Sequence, residues 1–295
     1  MDFYVVAGNP VEHSQSPFIH AEFARQTGQA MEFGRVCWPL GAFAESLRAL
    51  VASGAKGCSV TVPFKFDAFR EGRRLTPRAA LAQAANVLRF DAQDAQDWLA
   101  DNTDGAGLVN DIERNARVAL AGKRVLLIGA GGAAAGVLGP LLATGPREVV
   151  VANRTLVKAQ ALVERHAPRV GAGAESRGTA AGRNTLRASG LDGCGAGFDV
   201  VVNASASSLQ GAAIPVPHTV LAPGTLALDM MYGPAAQPFL NWAAAFGATG
   251  RDGLGMLVEQ AAEAFELWRG VRPETAPVLA ALRQRMGLAA GPTAR

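Results

Sequence analysis

Three short polar motifs in the first part of the chain carry groups suited to acid–base chemistry on a small oxygenated ligand. They are Asn9-Pro10 with Ser14-Gln15-Ser16, Thr61-Val62-Pro63-Phe64-Lys65, and Asp101-Asn102-Thr103-Asp104. Hydride delivery to a ketone leaves negative charge on oxygen, and a lysine such as Lys65 supplies both a cation and a proton there. Asp104 would orient that ammonium and accept a hydroxyl of the ligand. Local pattern alone also allows blander readings: Lys65 as a surface lysine and Asp104 as a helix cap beside Gly105. Ser14 and Ser16 could hold a carboxylate near a helix N-terminus, although the pattern favours Ser16 as the N-cap before Pro17.

A second kind of site is written in small residues. Gly129, Ala130, Gly131, Gly132 and Ala133 follow an apolar strand pattern and precede an apolar helix, matching GxGxxG/A with Ala134. Small side chains there let the backbone reach a pyrophosphate at a helix N-terminus. A tight strand-to-helix turn in an Ala/Gly-rich chain is the alternative. The end of the next strand carries Asn153, Arg154 and Thr155, with Lys158 beyond, where an NAD site wants an acidic residue for the ribose hydroxyl. A guanidinium and an ammonium suit a 2′-phosphate, so the cofactor expected is NADP.

The elements that must position these groups alternate. FYVVAG, a helix from Pro17 to Thr27, EFGRVCW, a helix from Phe43 to Ser53, CSVTV and AANVLRF predict a parallel α/β sheet over residues 1–104. A helix beginning near Asp104 leads to KRVLLIGAGG, and EVVVANR, FDVVVNA and TLALDMM continue a second, Rossmann-type series over 105–252. Between Pro168 and Gly197 the periodicity is poor and predicts loop with at most one weak element. From Leu254 to Trp268 an amphipathic helix sets Leu254, Leu257, Val258, Ala261, Phe265 and Trp268 on one face and Glu259, Glu263 and Glu266 on the other.

Composition agrees with an ordinary packed enzyme of two domains. The 295 residues are 49% hydrophobic and 18% charged, far from a disordered chain. Residues 105–250 hold 12 Lys/Arg against 8 Asp/Glu, and the rest 16 against 17, so the positive excess lies in the middle. Without a Lys/Arg cluster interleaved with aromatics, one small anionic ligand is favoured over nucleic acid or a membrane surface. The uncharged run 125–146 is long enough for a bilayer, but its glycines and prolines read as a strand and tight turn. Cys37, Cys58 and Cys194 form neither a disulfide framework nor a metal motif, and no export signal opens the sequence, so a cytoplasmic enzyme without a metal is expected.

In order along the chain, GNPVEHSQSPFIH, KGCSVTVPFK, AANVL, DNTDGAGL, LLIGAGGAA, ANRT, DMMY and DGLGMLVEQAAEAFELW resemble the shikimate dehydrogenase family, covering Asn9 to Trp268. The resemblance implies NADPH-dependent, reversible reduction of 3-dehydroshikimate to shikimate in aromatic amino-acid biosynthesis. It implies Lys65 as acid/base with Asp104, Ser14 and Ser16 on the substrate carboxylate, and Thr61, Asn86, Asp104, Tyr232 and Gln260 around the ring. Gly129 to Ala133, Asn153, Arg154, Thr155, Lys158, Met230 and Gly253 match the cofactor positions. The resemblance further implies a substrate-binding domain, 1–104 completed by helices within 253–295, an inserted Rossmann NADP domain at 105–252 with a cleft between them, and a monomer or homodimer. Departures are Val87 where the family often has Thr, Pro77 at an often acidic place, and Asn203-Ala204-Ser205-Ala206-Ser207 in place of Thr-Ser-Ser. The long Gly/Arg segment 170–190 reads as a surface insertion. Two rivals are an NAD-dependent quinate/shikimate enzyme, disfavoured by Arg154, and a non-catalytic NADP sensor, disfavoured by the retained Lys65 and Asp104.

Overall fold

A computed structural model describes residues 1–90, 97–172, 185–205 and 214–288. The chain divides into two compact units, Met1–Gly107 with Leu257–Leu288, and Leu108–Met256.

The first unit is built on β1 (Asp2–Gly8), α1 (Ser16–Thr27), β2 (Met31–Cys37), α2 (Phe43–Ala52), β3 (Gly57–Val60), α3 (Lys65–Glu71), β4 (Arg74–Leu75), α4 (Pro77–Ala82), β5 (Val87–Phe90) and β6 (Trp98–Asp101). Helix α5 (Asp104–Asn110) begins in it. Its six-stranded sheet has the order β2-β1-β3-β5-β6-β4. The alternation predicts a parallel sheet, and the structure corrects it to a mixed one. Strand β5 runs antiparallel to both β3 and β6, with Ser59 opposite Val87 and Val87 opposite Asp101. Strand β6, which the periodicity did not reveal, returns directly beside β5, a connection that only antiparallel strands can make with a short link. The reversal sets the start of β5 at the same sheet edge as the ends of β3 and β6. Three segments carrying polar motifs meet there: Asn86, Thr61 to Lys65, and Asp101 to Asp104.

One face of this sheet is covered by α2 and α3, with Val5, Ala7, Leu47, Val60, Phe64, Leu88 and Trp98 buried together. Elsewhere Tyr4, His20, Phe23, Phe33, Phe265 and Trp268 join in ring contacts, with centroids 4.1 Å apart for His20 and Phe33. Large rings of this kind each contribute roughly 1.5–3 kcal/mol on burial. Helix α1 ends at Gly28, whose φ of 66° lets its N–H close on the Ala24 carbonyl.

The second unit holds β7 (Arg124–Ile128), α6 (Gly132–Ala143), β8 (Glu148–Ala152), α7 (Leu156–Ala172), β9 (Thr185–Ser189), β10 (Phe198–Asn203), β11 (Leu221–Asp229), α8 (Gln237–Ala245) and β12 (Thr249–Arg251). Helix α9 (Leu254–Arg269) starts here and runs on into the first unit, followed by α10 (Thr275–Arg285). All six strands are parallel, in the order β12-β11-β10-β7-β8-β9. Taken from β9, this is the 3-2-1-4-5-6 order of a doubly wound dinucleotide-binding sheet, whose winding reverses between β7 and β10. The inner strands β7, β8 and β10 carry continuous buried apolar runs, as parallel strands covered on both faces require.

Two segments differ from their sequence pattern. The stretch from Pro168 to Gly197, predicted as loop with at most one weak element, holds the end of α7 and all of β9, while 173–184 lie outside the described residues. In β9, Leu186 and Ala188 pack on the core while Arg187 reaches Glu148, an alternation hidden by small and charged neighbours. On α9 only Glu266 is exposed, and the other two glutamates are taken up by the fold. Glu259 is 2% exposed and accepts from the Thr275 hydroxyl, and Glu263 pairs with Arg78 and Arg272. Cations supplied by other segments make that face burial-competent.

Candidate active site

Lys65 is the first residue of α3, immediately after the turn that leaves β3, and Asp104 is the first residue of α5, just past β6. Their side chains meet, Lys65 Nζ donating to Asp104 Oδ2 at 2.5 Å, and both are mostly shielded from solvent. Neither bland reading holds. The lysine is not a free surface cation, and the Asp104 carboxylate points into tertiary contacts and not onto its own helix. Its backbone N–H is met instead by Asn102 Oδ1 at 3.2 Å.

Asn86 ties the pair to its surroundings. Its Nδ2 lies 2.9 Å from both Thr103 Oγ1 and Asp104 Oδ1 and 3.1 Å from Gln260 Oε1, three acceptors for two hydrogens. Its Oδ1 accepts the Thr103 N–H at 2.8 Å. On the backbone, Asn86 donates to Asp101 and accepts from Val60, so β3 and β6 fix it from both sides. Gln260, on α9, also donates Nε2 to the Leu257 carbonyl at 2.8 Å. Lys65, Asp104, Asn86 and Gln260 thus form one connected cluster. Thr61 sits on the same turn as Lys65, its N–H donating to Ala7 and its methyl packed against Gly8.

The loop before Asp104 is held with equal care. Asn102 donates Nδ2 to the Ala84 carbonyl at 2.9 Å. Asp101, 1% exposed, accepts from Thr76 Oγ1 at 2.5 Å and takes both Nε and Nη2 of Arg78, at 2.7 and 2.6 Å. Burial alone would raise its pKa, but the Arg78 guanidinium and the Thr76 and Asn102 donors outweigh it and hold the carboxyl below the usual value. Thr103, Asn102 and Arg78 were given no role from sequence. The first two lie within the Asp101–Asp104 motif, whereas Arg78 carries no local sequence signal.

Ser14 and Ser16 form their own pair. Ser14 Oγ donates to Ser16 Oγ at 3.2 Å and accepts the Ser16 N–H at 3.3 Å. The expectation of Ser16 as N-cap is corrected: Gln15 occupies that position and Ser16 is the first helical residue. The Ser14 carbonyl is gripped by Arg35 Nε and Nη2, at 2.9 and 2.7 Å. What results is two adjacent hydroxyls at the start of a twelve-residue helix, suited to a carboxylate.

In the second unit the small-residue turn leaves β7 at the sheet's reversal point. Gly129 has φ 110°, and a Cβ there would stand 2.9 Å from the Ala204 carbonyl oxygen at the end of β10. Gly131 precedes α6 with open space where a Cβ would be, while Ala130, Gly132 and Ala133 complete the turn and first helical residues. Past β8, Asn153 Nδ2 donates to the Thr155 carbonyl at 2.9 Å, and Arg154, Thr155 and Lys158 are exposed. Met230 donates its N–H to the Asn203 carbonyl, and Gly253 lies against Met230, where a Cβ would come 2.3 Å from its oxygen. Tyr232 belongs to this unit, two residues past Met230. An open helix N-terminus, a glycine cradle and two exposed cations fit a phosphorylated dinucleotide such as NADP. Among the described residues no group of three or more His, Cys, Asp or Glu could hold a metal ion, and no helix is long and apolar enough to cross a membrane.

A doubly wound dinucleotide sheet in one unit and a shielded lysine–carboxylate pair in the other define a nicotinamide-dependent oxidoreductase. Family comparisons agree: residues 6–88 match the shikimate dehydrogenase substrate binding domain, 112–174 the shikimate/quinate 5-dehydrogenase family, and 253–283 the shikimate 5′-dehydrogenase C-terminal domain. A shikimate dehydrogenase (NADP(+)) of Methylibium petroleiphilum is 62% identical over 288 residues, covering 96% of this chain and 94% of its own. The Ael1 enzyme of Pseudomonas putida is 41% identical with a TM-score of 0.82, covering 96% and 98%. Shikimate 5-dehydrogenase of Thermus thermophilus, solved with NADP(H) and shikimate, is 29% identical with a TM-score of 0.80, covering 96% and 99%. The chain belongs to the NADP(+)-dependent shikimate dehydrogenase family and is an NADP-dependent oxidoreductase.

Proposed function

We propose that Lys65 and Asp104 carry the proton chemistry of a reversible, NADPH-dependent reduction of 3-dehydroshikimate to shikimate in aromatic amino-acid biosynthesis. The observation that carries this reading is the 2.5 Å Lys65–Asp104 contact at the sheet edge where Asn86 and Gln260 converge. When bound, the nicotinamide supplies or receives the hydride. Lys65 stabilises the oxyanion that forms at the ketone and delivers its proton; in the reverse direction it receives the proton of the hydroxyl. Asp104 keeps the ammonium aimed and accepts a ring hydroxyl of the substrate, with Asn86, Gln260 and Thr61 around it. Ser14 and Ser16 bind the substrate carboxylate at the start of α1, and Arg35 steadies them through the Ser14 carbonyl.

Gly129 to Ala133 would hold the pyrophosphate, and Asn153, Arg154, Thr155 and Lys158 the adenosine end with its 2′-phosphate. Met230 and Gly253 complete the cofactor site. The division into a substrate unit and a cofactor unit follows the same reading. The enzyme acts in the cytoplasm as a monomer or homodimer.

Steady-state assays pairing shikimate or quinate with NADP or NAD, followed by nicotinamide absorbance, test the reading. Shikimate with NADP should give the highest kcat/KM, and absence of turnover with that pair would overturn it.

A further inference from the structure

Arg78, at the start of α4, bridges two parts of the cluster that it does not itself enter. Its Nε and Nη2 take the two carboxylate oxygens of Asp101, at 2.7 and 2.6 Å, and its Nη1 donates to Glu263 Oε2 at 3.0 Å. Asp101 ends β6, and only Asn102 and Thr103 separate it from Asp104. Glu263 stands three residues, about one helical turn, beyond Gln260 on α9. One planar guanidinium therefore binds both the segment that carries the Asp104 carboxylate and the helix that carries the Gln260 amide, the two groups that share the Asn86 Nδ2. Glu263 is held from its other side by Arg272, so the link ends on an anchored group.

Burial raises the stakes of this geometry, since the Asp101 side chain is 2% exposed and a shift of its partner cannot be made good by water. A lysine could reach one carboxylate but lacks the fork that serves both. We propose that Arg78 is a positioning residue for the reaction, setting the separation between Asp104 and Gln260 by fixing Asp101 and Glu263 together. This rests on the reading of the Lys65–Asp104 cluster as the substrate site.

The test compares the full-length wild type with Arg78→Met, Arg78→Lys and Glu263→Gln in shikimate oxidation with NADP. Misplacing binding groups by a fraction of an ångström costs about ten-fold or more, so Arg78→Met should raise the shikimate KM by about that factor and lower kcat, with the NADP KM unchanged. Arg78→Lys should fall between it and wild type. Glu263→Gln, which loosens only the α9 side, should raise the shikimate KM by a smaller factor at unchanged kcat. Adding Asp101→Asn to Arg78→Met removes the unpaired buried carboxylate and should restore melting temperature without restoring KM. A wild-type shikimate KM in Arg78→Met, or, where that variant folds poorly, in Glu263→Gln, would overturn the proposal. So would recovery of KM together with stability in the double variant. A wild type that does not turn over shikimate would instead overturn the underlying assignment.

Discussion

The substrate-side cluster and the cofactor-side turn are built by opposite means. Around Lys65 the polar groups are chained side chain to side chain, Lys65 to Asp104, Asp104 to Asn86, and Asn86 to Thr103 and Gln260. At Gly129 and Gly131 the site is made by what is missing, with no side chain to crowd Ala204 or to fill the open space before α6. A preorganised constellation is therefore broken by removing an atom, and a backbone cradle by adding one.

The sharpest way to break the comparison is to add carbon to the cradle. Gly129→Val places a branched side chain at φ 110° against the Ala204 carbonyl, a cost of roughly 3 kcal/mol or more. NADP affinity, read by calorimetry, should fall by about 100-fold or more, while shikimate binding by the isolated variant should persist. On the other side, Asn86→Leu removes the shared amide at similar volume. It leaves buried acceptors unpaired, at about 1–3 kcal/mol each. Urea midpoints and kcat/KM for shikimate should both fall, the latter by about 100-fold.

A milder probe asks whether the exposed cations set cofactor choice. Charged hydrogen bonds are each worth about 1.5–3 kcal/mol, so Arg154→Ala should reduce the NADP-over-NAD ratio of kcat/KM by roughly 10- to 100-fold. An unchanged ratio would move that role to Lys158. The smallest effect concerns His20, buried against Phe33 with neither ring nitrogen partnered. Burial pushes its pKa down to about 3, so below about 6.5 the unfolded chain binds a proton that the folded chain refuses. Its stability is complete above pH 6.5 and declines as pH falls toward 3, by about 2 kcal/mol at pH 5. His20→Leu should remove that share of the difference between urea unfolding at pH 8 and pH 5.

The same contrast explains what could be read from sequence. The cradle was legible because glycine spacing, strand pattern and the residues after β8 are all local. The doubly wound order followed from repeated strand–helix alternation. On the substrate side the motifs were legible but their pairings were not. Asn86 reaches Asp104 only because β5 runs against its neighbours, and β6, the strand that forces this, was hidden in a short polar-flanked run. Arg78 and Glu263 lie far apart in sequence, and no local pattern distinguishes a guanidinium that binds a buried and a half-buried carboxylate from one in solvent. The same holds for Ser16, whose place beside Pro17 suggested a cap while the fold assigns that position to Gln15.

Lys65 is the centre of the account, and the comparison of kcat with shikimate affinity in Lys65→Met tests it most directly. General acid–base catalysis and oxyanion stabilisation are together worth about 10³-fold or more in rate, and they act mainly in the transition state. In the full-length enzyme with saturating NADP, kcat for shikimate oxidation should fall by about that factor while shikimate affinity changes by less than about ten-fold. A kcat near that of the wild type would contradict the assignment of Lys65 as the acid/base.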